Sequence, residues 1–74
     1  MDTVNRKKLK LKMVEQDFNI TTLASKAGTS RTTLSNFFNG KNPSYELMKK
    51  LSKALSLTQE EAGSIFFDPD SRIA

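Results

Sequence analysis

The side chains best suited to chemistry in this sequence are basic, and they are concentrated near its start. Residues 6–12 include five of them: Arg6, Lys7, Lys8, Lys10 and Lys12. Residues 1–53 carry 11 basic and 4 acidic side chains, a net charge of +7, whereas residues 54–74 carry 1 basic and 4 acidic ones, a net charge of −3. Such a basic region favours a polyanionic partner, and the alternative is a solvated helix face rich in lysine.

No arrangement of residues points to catalysis or to metal binding. The absence of His and Cys rules out zinc fingers, thiolate nucleophiles, Ser-His-Asp triads and disulfide scaffolds. Glu60-Glu61 suits the start of a helix, where negative charge complements the helix dipole. The other carboxylates of the first 53 residues are scattered over different helix faces: Asp2, Glu15, Asp17 and Glu46. We therefore expect no enzymatic activity, no cofactor and no metal.

Length and hydropathy limit how the chain can be organised. Its 74 residues can form one small core, and there is no repeat or low-complexity linker. We predict a single domain over residues 1–74, with a core at about 5–67 and a short acidic tail at 68–74. No apolar run approaches the roughly 20 residues of a membrane span, and the start lacks the apolar stretch of a signal peptide. We expect a cytoplasmic protein with no membrane partner.

Apolar residues recur at helical spacing in five segments, and a capping residue precedes each one. The predicted helices begin at or just after Asn5, Asn19, Thr29 or Ser30, Ser44, and Thr58. The first runs to about Asp17, with an interrupted apolar stripe of Leu9, Met13, Val14 and Gln16. The fifth opens on Thr58 and Glu61, which have capping-box spacing. No useful stretch alternates at period two, so the sequence predicts an all-α fold.

The second and third helices have the spacing of a helix-turn-helix. Gly28 lies at the turn between them, where a positive φ is needed. Ala24 lets the two helices approach closely, while Leu34 and Phe37 can bury the inner face of the third helix. The outer face of that helix would present Arg31, Thr32, Ser35 and Asn36. Core positions are predicted for Leu23, Leu34, Phe37, Leu51 and Leu55.

This frame resembles the Cro/C1-type (XRE) helix-turn-helix family. The similarity covers about residues 5–67 and rests on Asn19 to Ser30, Leu34, Asn39-Gly40-Lys41, Pro43-Ser44, Leu51 and Ala54 to Leu57. It implies a five-helix lambda-repressor-like DNA-binding domain, usually dimeric on DNA, whose third helix enters the major groove. The implied function is that of a small transcriptional regulator bound to double-stranded operator DNA. A phage-type genetic switch, in a bacterial or phage-infected cell, is the expected setting.

The resemblance also assigns roles to polar side chains. Base reading falls to Arg31, Thr32 and Asn36, with arginine suited to guanine and asparagine to adenine. Phosphate contacts, which set register, fall to Thr33, Asn39, Lys41 and Asn42. Non-specific attraction would come from Lys10, Lys12 and Lys26. The alternative for each of these is a solvated surface position or, for the threonines, a local capping hydroxyl.

Two features depart from the family pattern. Many relatives have Gln where this chain has Ile20, and some pair a buried Arg with a Glu where it has Met13 and Phe38. An apolar Ile20 at the DNA-facing edge could bind a protein instead. A second hypothesis is therefore an antirepressor that contacts a partner repressor through Ile20, Thr21, Arg31, Ser35 and Asn36.

Two further contacts are predicted near the end of the chain. An antitoxin, the third functional hypothesis, would bind its toxin through the acidic stretch from Glu60 to Asp70. The fifth helix also carries more large apolar surface than so short an element needs, in Ile65, Phe66 and Phe67. Part of this surface closes the core, and the rest is a candidate for a symmetric homodimer contact.

Overall fold

The computed structural model describes residues 3–68, and five helices make up most of that range. They are α1 (Arg6–Glu15), α2 (Ile20–Ala27), α3 (Arg31–Phe38), α4 (Tyr45–Ala54) and α5 (Gln59–Phe66). No strand occurs among the described residues. The predicted all-α, five-helix fold is thereby confirmed. Residues 69–74, most of the predicted acidic tail, lie outside the described part.

Short polar side chains determine where the helices begin. The caps of α1 to α5 are Asn5, Asn19, Ser30, Ser44 and Thr58, and each accepts a backbone N–H from three residues further on. Of the two caps predicted for α3, Ser30 is the one used. Capping boxes with reciprocal hydrogen bonds form at α2 and α5. A cap of this kind contributes about 1 kcal/mol, which is substantial for helices of eight to ten residues.

One apolar core is formed by all five helices. Its members are Val4, Leu9, Met13, Leu23, Ala24, Leu34, Phe37, Leu47, Leu51, Ala54, Leu55, Ile65 and Phe66. All five residues predicted for the core are at most 1% exposed, which confirms that prediction. The predicted stripe of α1 is wrong at Val14, which is 70% exposed, and at Gln16, which is exposed and follows the last residue of the helix. Val14 lies about 140° around the helix from Leu9, outside the side that the core covers.

Two groups of helices build this core. α2 packs against both α3 and α4, whereas α1 packs against α5. The beginning and end of the described chain are joined, because the N–H of Asn5 donates to the carbonyl of Ile65 at 2.6 Å and the N–H of Asp68 donates to that of Thr3 at 2.8 Å. This connection holds the start of α1 against the end of α5.

Candidate nucleic-acid interface

The turn between α2 and α3 has the geometry that the sequence predicts. Gly28 ends α2 with φ of 74°, a left-handed conformation that costs glycine little and other residues more. The N–H of Thr29 donates to the carbonyl of Ala24 at 3.0 Å, which closes the end of α2. Ser30 then starts α3 two residues after the glycine. The two helices are thus joined by a tight turn that is closed by a backbone hydrogen bond.

The two faces of α3 differ sharply. Leu34 is fully buried and Phe37 is 1% exposed, so they anchor the inner face in the core. Arg31, Thr32 and Asn36 are exposed. At about 100° per residue these three side chains span roughly 140° of the helix circumference. The core thus places the three predicted base-reading residues on one outward face, with half-buried Ser35 between them.

Thr33 lies at the edge of that face and takes part in the cap. Its N–H donates to the Ser30 hydroxyl oxygen at 3.0 Å, and the Ser30 hydroxyl donates to the Thr33 hydroxyl oxygen at 2.7 Å. The Thr33 side chain is exposed as well as engaged in capping. Both of the roles weighed for it from the sequence are therefore compatible with its position.

The loop after α3 carries the other predicted phosphate contacts, Asn39, Lys41 and Asn42, and all three are exposed. Backbone bonds tie this loop to the end of α3: the N–H of Gly40 donates to Phe37 at 3.1 Å and that of Lys41 to Asn36 at 3.0 Å. The turn requires φ of 115° at Gly40. Exposed donors therefore continue from the outer face of α3 into the loop.

Arg6 also belongs to this region, although the sequence singled it out only as one of five basic residues near the start of the chain. Its Nε donates to the carbonyl of Phe37 at 2.6 Å, and its terminal nitrogen donates to the carbonyl of Lys41 at 3.1 Å. Its guanidinium carbon lies 4.9 Å from the centre of the Phe37 ring. No local sequence pattern could identify these two hydrogen bonds, because the partners of Arg6 are 31 and 35 residues further along the chain.

The lysines assigned to non-specific attraction differ in their surroundings. Lys10 and Lys26 are exposed, and Lys26 lies 5.9 Å from the centre of the Phe18 ring. Lys12 is paired with Glu61 of α5 at 2.6 Å. Lys50 of α4, not singled out from the sequence, lies 3.5 Å from the carbonyl of Gly28 at the helix-turn-helix corner.

The apolar patch expected at Ile20 is only partly exposed. Ile20 is half-buried and packs against the core, while Thr21 beside it is exposed. The large apolar side chains with the greatest exposure lie elsewhere: Leu11, Val14, Tyr45 and Phe67. On the described surface, large apolar side chains are thus more exposed on α1 and beside the groove between α4 and α5 than at the start of α2.

Part of the acidic stretch proposed as a toxin contact is used inside the domain. Asp68 is only 9% exposed and accepts a hydrogen bond from the side-chain amide of Asn5 at 2.9 Å. Glu61 binds Lys12 and the backbone N–H of Thr58. Glu60 is exposed, and Asp70 lies outside the described residues. Glu61 and Asp68 therefore form contacts within the domain that stabilise the fold.

The Lys12–Glu61 pair shifts the titration of both groups. The hydrogen bond from Lys12 is the main reason that the pKa of Glu61 lies below its ordinary value of 4.5. The hydrogen bond to Glu61, followed by the carboxylate charge, raises the pKa of Lys12 above 10.5. The pair therefore stabilises the fold at neutral pH. This contribution is lost as pH falls through the lowered pKa of Glu61, or as pH rises through the raised pKa of Lys12.

We expect Glu61→Gln to destabilise the domain at pH 7 and to have a diminishing effect as the pH falls well below 4.5. Glutamine retains the capping-box geometry, so mainly the ion pair is removed. Urea unfolding midpoints from pH 7 down to acid pH measure the difference. Glu60→Gln, at an exposed neighbouring position, is the control and should show a smaller pH dependence. A difference that stays constant across this range would assign the effect to the cap instead.

The fold and the exposed outer face of α3 define a helix-turn-helix domain. A helix-turn-helix family model matches residues 9–61, more than half of the chain. The chain belongs to the Cro/C1-type helix-turn-helix family, and its fold is lambda-repressor-like. No curated protein and no solved structure matches it.

Membership in this family makes the protein a DNA-binding transcriptional regulator of the Cro/C1 type, and the family is not one of enzymes. Residues 3–68 contain no group of three or more acidic, His or Cys side chains that could hold a metal ion. None of the helices within that same range has the length and apolar character needed to cross a bilayer.

Proposed function

We propose that the protein binds operator DNA by placing α3 in the major groove, with Arg31, Thr32 and Asn36 against base edges. The observation that carries this proposal is the outward face of α3, where these three exposed side chains lie opposite buried Leu34 and Phe37. An arginine fork matches the two acceptors of guanine, and an asparagine amide matches the acceptor and donor of adenine. Both side chains are exposed and extend from α3, whose inner face is buried in the core.

The loop after α3 supplies the proposed phosphate contacts. Asn39, Lys41 and Asn42 are exposed where α3 ends, and Thr33 lies on the same helix. Amide and ammonium donors at this position can bind phosphate oxygens next to the groove that α3 enters. Lys10 and Lys26 add positive charge elsewhere on the surface. Together these groups would orient α3 without reading the sequence themselves.

Selection of bound duplexes from a random library tests the proposal directly. We expect one enriched motif, with guanine and adenine among the specified bases. For the selected duplex, the logarithm of the binding constant should fall linearly with the logarithm of the salt concentration, with a slope of about −0.9 for each phosphate neutralised. A library without enrichment, together with binding that is independent of salt, would contradict DNA recognition by this domain.

A second copy of the chain is the proposed occupant of a groove between α4 and α5. The groove has a volume of about 750 Å³, and Tyr45, Met48 and Phe67 are among the residues that line it. Lys49 and Lys53 also line it, so positive charge lies beside these apolar side chains. A symmetric contact through the apolar side chains of two copies could place two α3 helices one DNA turn apart, about 34 Å.

We expect Phe67→Lys to weaken binding to a duplex with two half-sites while leaving binding to one half-site unchanged. The control, Leu11→Lys, places the same charge at a similarly exposed apolar position on α1. Titrations of both duplexes, with sedimentation equilibrium of the free protein, measure the effect. Equal binding of the two-half-site duplex by Phe67→Lys and by the wild type would place the dimer contact elsewhere.

Control of a partner repressor by protein contact is the second candidate function. It is favoured by the single basic side chain on α3, Arg31, and by the exposed apolar pair Leu11 and Val14. The surface proposed from the sequence comprises Ile20, Thr21, Arg31, Ser35 and Asn36. Co-purification with a repressor encoded nearby should then be lost on Ile20→Lys, while Leu11→Lys tests α1. Pairing that survives both substitutions would contradict this candidate.

A further inference from the structure

Arg6 connects the first turn of α1 to both sides of the loop after α3. Its Nε donates to the carbonyl of Phe37, in the last turn of α3, at 2.6 Å. Its terminal nitrogen donates to the carbonyl of Lys41 at 3.1 Å. One planar guanidinium therefore holds two carbonyl groups that lie four residues apart, on either side of Asn39 and Gly40.

The surroundings of Arg6 restrict the side chain to this position. The Arg6 residue is half-buried, and its guanidinium carbon lies 4.9 Å from the centre of the Phe37 ring, within the range of a cation–π contact. The positive charge also lies at the C-terminal end of α3, where the helix dipole favours a cation. Because Phe37 is 1% exposed and fixed in the core, the guanidinium is held against a rigid support.

Without this bridge the loop would be less constrained. Gly40, between the two bonded carbonyls, has φ of 115° and no side chain to restrict its backbone. The loop's own bonds to α3 come from the N–H groups of Asn39, Gly40 and Lys41. Arg6 adds the bond that fixes the carbonyl side of Lys41, whose side chain and its neighbour Asn42 are exposed.

We propose that Arg6 is a positioning residue for DNA binding, which orders residues 39–42 so that Lys41 and Asn42 meet the phosphate backbone in register. This inference rests on the proposed function of the loop. Arg6 acts here through the two carbonyl groups, and the contacts to DNA are made by the loop side chains. Lysine could not replace it, since an ammonium lacks the planar fork that spans both acceptors.

A double-mutant cycle on DNA binding tests the proposal. We expect Arg6→Met to weaken binding to the selected duplex and to unrelated duplexes by the same factor, about tenfold. This factor lies within the range of couplings between residues of one hydrogen-bond network. Base preference should not change, and Arg6→Lys should show most of the same loss although it keeps the charge. In the Lys41→Ala, Asn42→Ala background, the same Arg6→Met change should have less than about a twofold effect.

Lys7→Met is the matched control, since it removes one positive charge from the next residue of α1, which is exposed. Its effect on affinity should be the same with and without the loop substitutions. Urea unfolding of each variant establishes that the binding assays contain folded protein. A full Arg6→Met effect in the loop-substituted background would overturn the proposal, as would wild-type affinity of Arg6→Met.

Hydrogen exchange of the free protein separates this inference from the DNA-binding proposal. Arg6→Met should speed exchange of the Gly40 and Lys41 amides by about tenfold while the buried turns of α2 and α4 keep their protection. If Arg6→Met speeds loop exchange but the protein binds no DNA, the proposed function is wrong, and so is the role of Arg6 in DNA binding. The ordering of the loop by Arg6 would still be supported. Unchanged loop exchange would overturn the positioning role itself.

Discussion

Replacing Phe37 by alanine is expected to lower the free energy of unfolding by about 3–5 kcal/mol. The side chain is 1% exposed in a core shared by all five helices, so its removal leaves a cavity. The change also removes the edge-on contact with Phe38, at 5.0 Å between ring centres, and the support beneath Arg6. A chain of 74 residues has a total stability of about 4–11 kcal/mol, so the domain would be close to unfolding.

Urea denaturation followed by circular dichroism measures this loss. Phe67→Ala is the matched control, since it makes the same chemical change at a residue that is 64% exposed. In monomeric protein it should alter stability by less than about 0.5 kcal/mol. Similar losses for the two variants would show that the inner face of α3 does not anchor the domain in the way the core implies.

Arg31→Ala is expected to weaken binding to the best operator sequence by about 1–3 kcal/mol, a factor of roughly 5 to 150. The loss should be confined to duplexes that carry the preferred base pair at one position. Arg31 is exposed and lies in the first turn of α3, so the substitution leaves the core intact. Competition titrations with all four base pairs at each position of the selected site measure both the loss and its location.

Arg31→Lys separates base reading from charge. It keeps one positive charge and so should retain the salt slope, but it loses the planar fork that matches guanine. Base preference at one position should therefore relax as it does for Arg31→Ala. An Arg31→Ala loss of equal size on every duplex, with a shallower salt slope, would instead make Arg31 a phosphate contact.

Basic and apolar side chains occupy different parts of the surface of the domain. The basic side chains near the start of the chain have different surroundings, because Lys12 is paired with Glu61 of α5 and Arg6 bonds to carbonyl groups at the end of α3 and in the loop after it. Exposed apolar side chains are concentrated on α1 and beside the α4–α5 groove. The face proposed to bind DNA lies on α3 and the loop after it, whereas these exposed apolar side chains lie on α1, at the start of α4 and just after α5.

Much of the fold could be predicted from the sequence because it depends on local interactions. A cap such as Asn19 or Thr58 bonds to a residue three positions away, and the period of 3.6 residues shows which side of each helix is apolar. Gly28 marks the turn because its backbone adopts the left-handed conformation there. These short-range rules predicted the five helices and the outward face of α3.

Tertiary structure alone decided which of several similar residues are buried and which partners they bind. Val14 is exposed and Ile20 half-buried because α1 and α2 each turn only part of their surface to the core. Arg6 and Lys12 both belong to the same basic run, yet one bonds to the end of α3 and the other to α5. Their partners lie 31 to 49 residues away, and such distances are set only when the helices pack together. The sequence by itself determined the helices and their frame, while packing determined which basic side chains remained available to a partner.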